Sequence, residues 1–205
     1  MLYVDPPFEL GSTLDGTAED GTTLINKEVC GKIFEIPYQP LGVTSIRGQK
    51  KRYTGRSVVA VALRNESGGT LYGKRLAQLT ETAGYYLLES VDGYAEDLGQ
   101  RHVVLIDEFL ATTGVPDDDI FWGILKGPHT ILTNTANYTA DVAVGQPMYA
   151  ATYNGTSGNS AAGRPQVFPQ ASSLAQWDTM IGYAMSAILT NSTGEDMLIN
   201  MAIRY

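Results

Sequence analysis

Turn-forming residues punctuate the chain at short, regular intervals from residue 57 to its end. Clusters of Gly, Pro, Asn, Asp and Ser recur roughly every 8 to 12 residues, and short runs rich in Val, Ile, Leu and Tyr lie between them. Antiparallel sandwiches and barrels have this spacing, whereas long solvated helices do not. The pattern therefore predicts a mostly β protein, an antiparallel β-barrel or sandwich with little helix.

Individual strands follow from the runs between turns. We predict strands over residues 57–64, 70–79, 85–91, 102–110, 120–125, 129–132, 148–153, 182–189 and 196–203. Residues 126–128 (KGP) are predicted to be a turn, and the last two strands are predicted to pair with each other. Short helical turns are predicted at 96–100 and 171–177.

The first 56 residues differ from the rest. Four of the nine prolines lie there, and residues 5–24 show no apolar period of a helix or strand. Spaced apolar residues at Tyr3, Phe8 and Leu10 favour an arm with anchor points over the alternative, a disordered tail. We predict an extended N-terminal arm of residues 1–56, with one strand near 29–36, and a knob domain of residues 57–205.

Charge is strongly polarised along the chain. The formal net charge is −8, yet residues 47–56 (RGQKKRYTGR) hold five of the fourteen cationic residues, so the remainder carries −13. Such a patch usually faces an acidic partner, and an acidic protein surface fits better than a solvated loop or nucleic acid. The cationic residues are Arg47, Lys50, Lys51, Arg52 and Arg56.

Candidate metal and cofactor motifs are weak. The run 117–119 (DDD) lacks the spacing of a calcium loop and is interpreted as a solvated turn. Residues 68–75 (GGTLYGKR) carry Arg75 where a phosphate loop needs Ser or Thr. A single cysteine, Cys30, excludes an internal disulfide and a cysteine-built zinc site. We expect no cofactor and no metal.

Candidate catalytic residues are equally few. Asp107 and Glu108 fall in a predicted strand, so their side chains are expected on opposite faces and not as a working pair. His102 and His129 are interpreted as strand-end residues. No Gly-x-Ser-x-Gly elbow is present. We therefore predict a protein that is not an enzyme.

Aromatic residues offer one further alternative. Trp122 lies in an apolar run and is predicted to be core, whereas Trp177 and several of the twelve tyrosines could form a sugar-binding surface. The N-terminus shows no targeting segment and no apolar run reaches the ~20 residues of a membrane span. We expect synthesis in a reducing cytoplasm and no membrane partner.

Four segments, in order, resemble the capsid decoration (cement, or head-stabilising) proteins of tailed bacteriophages. They are 61–74 (VALRNESGGTLYGK), 104–108 with 118–128 (VLIDE, DDIFWGILKGP), 144–151 (VGQPMYAA) and 181–187 (IGYAMSA). The resemblance covers residues from about 58 to 205, and the arm and basic segment match nothing in the family.

The resemblance implies a virion structural protein on the outer capsid surface, commonly a homotrimer, that ties neighbouring major capsid protein subunits together. On this interpretation the arm contacts the capsid through Tyr3, Phe8 and Leu10, and the five cations of residues 47–56 dock electrostatically, without binding nucleic acid. The alternatives are a tail, head-fibre or baseplate component, or a carbohydrate-binding β-module.

Overall fold

The computed structural model describes residues 6–37, 57–95, 102–134, 142–149, 180–187 and 193–203. Within these ranges the chain is all β, as predicted, and no helix occurs. Nine strands form one sheet in the order β1-β2-β4-β3-β5-β6-β9-β8-β7. The strands are β1 (Ile33–Pro37), β2 (Ser57–Asn65), β3 (Leu76–Thr82), β4 (Tyr85–Tyr94), β5 (Val103–Ile106), β6 (Ile120–Asn134), β7 (Pro147–Tyr149), β8 (Met180–Ala184) and β9 (Thr193–Ala202).

Five of these strands close on themselves. An additional pairing of β2 with β6 completes the circuit β2-β4-β3-β5-β6, in which only the short β2–β4 contact is parallel. Leu63, Leu79, Val104 and Phe121 fill the inside of this ring and are fully buried. Closure leaves these five strands without a free edge between them.

The remaining strands extend from the far half of β6. That half pairs with β9, which pairs with β8, and β8 pairs with β7. Met148, Ile181, Met197 and Ile199 are buried beneath this extension and belong to a second apolar cluster outside the ring. The predicted pairing of the last two strands is confirmed, as is the buried position of Trp122.

The predicted turn at residues 126–128 is wrong. One strand, β6, runs through these residues, and Pro128 lies opposite Asn200 of β9. Gly127 adopts φ +106°, and a Cβ there would lie 2.5 Å from the carbonyl oxygen of Ser57. Gly127 and Pro128 therefore let β6 pass close to β2 and continue beyond the ring. The sequence pattern alone does not distinguish such a continuous strand from a chain reversal.

The N-terminal arm lies against the sheet. Residues 6–32 form no strand, but Leu14 makes an isolated antiparallel bridge with Ile120 of β6. Further along, β1 pairs antiparallel with β2, with Ile33 opposite Val61 and Pro37 opposite Ser57. The described part of the arm is therefore held against the body. The division between residues 56 and 57 stays a prediction.

Candidate functional site: the seat of the N-terminal arm

The predicted partner-binding residues divide into two groups. Phe8 and Leu10 lie in the described arm and pack, partly buried, against the chain's own apolar cluster. Tyr3 and the five cations of the basic segment lie outside the described residues. A capsid-contacting role for all eight residues stays a prediction. The surface that receives the arm, which we call the arm seat, is formed by residues of β2 and β6 and of the loops after β5 and before β6.

An aromatic stack marks the first contact of the arm with its seat. The ring of Phe8 lies 4.3 Å from that of Trp122, with an interplanar angle of 19°. The Trp122 indole N–H donates to the carbonyl oxygen of Phe8 at 3.2 Å. Phe34 of β1 meets the same indole edge-on at 5.5 Å. Two distant parts of the arm therefore converge on one buried indole, which also satisfies its only donor.

Arg64 forms the central polar contact of the seat. Its side chain sits near the end of β2 and the residue is only 3% exposed. One guanidinium nitrogen donates to the carbonyl oxygens of Gly16 and Asp118, at 2.8 and 2.9 Å, and the other donates to that of Ile25 at 2.8 Å. A buried charge is tolerable only with such partners. Arg64 thus ties both ends of the 16–25 segment to the body.

Gly16 allows the backbones to approach closely at this point. A Cβ on Gly16 would lie 1.6 Å from the Asp118 carbonyl oxygen, so no larger residue fits without movement. The Gly16 N–H points towards a carboxylate oxygen of Asp119 at 3.4 Å. Burial is the main cause that raises the pKa of Asp119. Asp118 and Asp119 are therefore part of the seat, whereas the sequence pattern predicts only a solvated turn for the run 117–119.

A buried polar network lies under the next arm contact. The Gly11 N–H donates to Asp107 Oδ2 at 2.6 Å, and the Phe109 N–H donates to Asp107 Oδ1 at 3.0 Å. His129 is fully buried, with Nε2 3.6 Å from Asp107 Oδ1 and Nδ1 3.4 Å from Glu108 Oε1. The Glu108 backbone N–H donates to Nε2 at 2.7 Å, so this nitrogen is an acceptor and the neutral ring carries its proton on Nδ1.

This network corrects two predictions. Asp107 and Glu108 do not occupy opposite faces of a strand, because β5 ends at Ile106 and both carboxyl groups turn towards one histidine. His129 is not a strand-end residue, because β6 continues to Asn134. The Asp107 carboxylate lies near Nε2 of His129 and the Glu108 carboxylate lies near Nδ1, so the imidazole ring separates the two carboxylates. The arrangement therefore holds the loop after β5 in place and presents a carboxylate to the arm.

The arm also has structure of its own. Thr17 and Leu24 bridge, and Asp20 accepts hydrogen bonds from the hydroxyl and N–H of Thr23 and the N–H of Thr22. These bonds, that of the Thr23 hydroxyl first, lower the pKa of Asp20 to about 2. Cys30 lies half-buried near the seat, and burial raises the pKa of its thiol.

A protruding hairpin is the most exposed aromatic feature among the described residues. Ala83 and Gly84 connect β3 to β4 with φ of +53° and +83°, the geometry of a two-residue hairpin turn. Tyr85 is 74% exposed and Leu87 is 42% exposed on the same strand. Tyr86 stacks on His102 at 4.0 Å. The hairpin therefore offers exposed apolar contact area.

A second aromatic cluster lies beside β4. The Arg75 guanidinium sits over the rings of Tyr94 and Tyr72, at 5.0 and 5.8 Å from their centroids. The Tyr72 N–H donates to the Tyr94 hydroxyl at 2.7 Å, and burial raises the pKa of that hydroxyl. Nearby, Lys74 pairs with Asp196 of β9. The pair of Lys74 and Asp196 connects the ring to the sheet extension.

Sequence reasoning missed the main residue of the seat. Arg64 ends an otherwise apolar run (SVVAVAL) that becomes the buried strand β2, and a cation in that position signals an internal partner. Among the residues described, no group of three or more His, Cys, Asp and Glu side chains is arranged to hold a metal ion. In the same parts of the chain no helix has the length and apolarity to cross a bilayer.

Comparison with known solved structures gives a distant likeness. No protein-family model matches the chain, and no curated protein matches it. Among solved structures, it is similar to the N-terminal base of the head fiber protein gp8.5 of bacteriophage phi29, with a TM-score of 0.36 and 15% sequence identity. The likeness covers 71% of this chain and 94% of that one.

Proposed function

We propose that this chain is a virion structural protein of a tailed bacteriophage. It binds the outer capsid surface as a homotrimer, bridges neighbouring major capsid protein subunits and stabilises the expanded shell. It acts without catalysis and without a cofactor, and it contacts neither nucleic acid nor membrane. The tail, head-fibre or baseplate interpretation is the alternative that the experiment below separates from it.

One observation carries the proposal: a basic segment is inserted into an acidic body. Residues 47–56 hold five cations and no carboxylate, whereas the rest of the chain carries −13. The segment belongs to the stretch between Pro37 and Ser57, which are opposite each other in the β1–β2 ladder. The stretch therefore leaves and re-enters the sheet at one point. This arrangement suits electrostatic docking on an acidic protein surface.

The resemblance to decoration proteins supports the same assignment. The four resembling segments overlap β2, β5, β6, β7 and β8, which all belong to one sheet. The resemblance therefore concerns the body, and the basic segment is an addition to it. Many identical weak contacts on a repetitive shell gain avidity from multivalency, so no single deep site is needed.

Copy number in the virion tests this proposal. We expect quantitative mass spectrometry of purified particles to give copies comparable to the major capsid protein. A handful of copies would move the protein to the tail or a vertex, and absence from particles would reject the proposal.

Charge reversal tests the docking segment. We expect the triple variant Lys50→Glu, Lys51→Glu, Arg52→Glu to lose occupancy on particles, with a loss that depends on salt. A matched control reverses three exposed cations elsewhere, Lys27, Lys32 and Lys126, and so changes net charge equally. Equal loss in both variants would show that net charge, rather than the segment, governs binding.

A further inference from the structure

The connection between the first two strands is far longer than its geometry requires. Pro37 and Ser57 are directly opposite in an antiparallel ladder, and such strands are ordinarily joined by two to about five residues. Here 19 residues, 38–56, separate them. A chain of this length spans at most roughly 65 Å, which exceeds the diameter of a small domain. The connection therefore permits the arm to reach a second molecule.

The arm seat contains buried polar groups whose hydrogen-bond partners belong to the arm. Without an arm, Arg64 loses two of its three carbonyl partners, because those belong to Gly16 and Ile25. The Asp107 carboxylate loses the Gly11 N–H and the Trp122 indole loses Phe8. One edge of β2 also loses its pairing with β1. Leaving buried polar groups unpaired is costly, but nothing in these contacts requires the arm to come from the same chain.

From these two observations we infer that residues 6–37 form an exchangeable arm, and that the seat of one copy accepts the arm of a second copy. The contacts in the exchanged form are those described above. Exchange is a low-cost route to assembly because it creates no new interface chemistry. A linker of this kind gives its own arm an effective concentration of about millimolar. Exchange therefore becomes substantial where copies are crowded to that level.

This inference is independent of the proposed function. It concerns two copies of the chain in solution and requires no capsid. A failure of arm exchange leaves capsid docking by the basic segment untouched. A failure of capsid binding likewise leaves the exchange measurable.

A mixed single-cysteine experiment tests the exchange. Glu35 and Val59 are opposite in the β1–β2 ladder. In a Cys30→Ser background, one copy carries Glu35→Cys and the other carries Val59→Cys, so neither can form the bridge within itself. One copy carries a C-terminal extension, so that mixed and like dimers differ in size. The two copies are unfolded, refolded together at about 10 µM to about 1 mM, oxidised with a mild thiol oxidant and separated on a non-reducing gel.

We expect a mixed disulfide dimer whose yield rises with concentration. Its yield should exceed by at least about fivefold that of a control pair in which Val144→Cys replaces Val59→Cys, because Val144 precedes β7 at the opposite end of the strand order. A yield no higher than this control overturns the inference. Thermal unfolding of each variant checks that the partly exposed substitutions leave the fold intact.

A shortened connection supplies the second test. Deleting residues 41–53 leaves six residues, enough to join β1 to β2 within one chain. The shorter connection raises the effective concentration of an arm at its own seat by about fivefold, because this concentration falls roughly as the −3/2 power of linker length. We expect the mixed dimer to fall to the control level. A full-length variant with Arg47, Lys50, Lys51 and Arg52 changed to Gln controls for the four cations lost in the deletion. An undiminished dimer in the shortened protein would show random collision and reject the exchange.

Discussion

Replacing Arg64 with methionine should release the arm and destabilise the whole protein. Methionine keeps much of the apolar stem but donates no hydrogen bond. In this variant the Gly16 carbonyl oxygen still accepts a hydrogen bond from the Ile25 N–H, at 2.8 Å. The carbonyl oxygens of Ile25 and Asp118 lose the hydrogen bonds that Arg64 donates to them. An unpaired buried acceptor costs about 1–3 kcal/mol, and removing the buried charge offsets part of this. We expect the free energy of unfolding to fall by about 3 kcal/mol.

Urea unfolding followed by tryptophan fluorescence measures this loss. A Trp177→Phe background leaves Trp122, whose stack on Phe8 makes it a reporter of arm detachment. The control is Lys74→Met, which breaks the partly exposed pair with Asp196 and should cost less than about 1 kcal/mol. If Arg64→Met costs no more than this control, the clamp contributes nothing and the reasoning is refuted. Hydrogen exchange should also show protection lost first in residues 14–25.

Three further predictions concern the same arm. The Cβ of Gly16→Ala would lie 1.6 Å from a carbonyl oxygen, whereas no atom lies within 4 Å of a Cβ at residue 69. We therefore expect Gly16→Ala to unfold at a urea midpoint well below that of Gly69→Ala. Equal urea midpoints would contradict the close approach at Gly16. Asp20 should titrate by NMR near pH 2. Because its ordinary pKa of 3.8 is lowered by folding, its stabilising contribution is fully present above pH 4 and disappears as the pH falls through about 2, and a midpoint near 4 would refute its hydrogen bonds. Cys30 should react with a thiol reagent at least about tenfold more slowly in the folded protein than in urea, since burial raises its pKa, and equal rates would show an open arm.

The fold was predictable because local pattern and long-range pairing agree over most of the body. The alternation of Met197, Ile199 and Met201 predicts a half-buried strand, and β9 buries these three side chains. The apolar run that became β2 is likewise buried on both faces, as expected for a strand of a closed ring.

The errors arose where a local signal has two structural outcomes. Gly127 and Pro128 are as typical of a reversal as of a bend in a continuous strand, and the contact with β2 decides between them. The predicted strand continues through Asp107, whereas β5 ends one residue earlier, at Ile106. Because Asp107 lies beyond the strand, the alternation of faces along a strand does not determine where its side chain lies.

The seat could not be assembled from sequence, because its parts lie far apart in the chain. Phe8 and Trp122 are separated by 114 positions, and Gly11 and Asp107 by 96. A spaced aromatic in the arm predicts an anchor, but only the sheet topology identifies what it is anchored to. The basic segment was recognisable by composition, and its partner stays a prediction.

The order of the arm contacts determines how the molecule responds to mechanical load. A pull on residue 6 loads the stack of Phe8 first, then the contacts of Gly11, Leu14 and Arg64 one after another, because they follow one another along the chain. Each contact therefore bears the whole force alone. The long antiparallel ladder between β6 and β9 instead distributes a force along the strands over many hydrogen bonds. The arm thus peels away under a load that leaves the sheet folded.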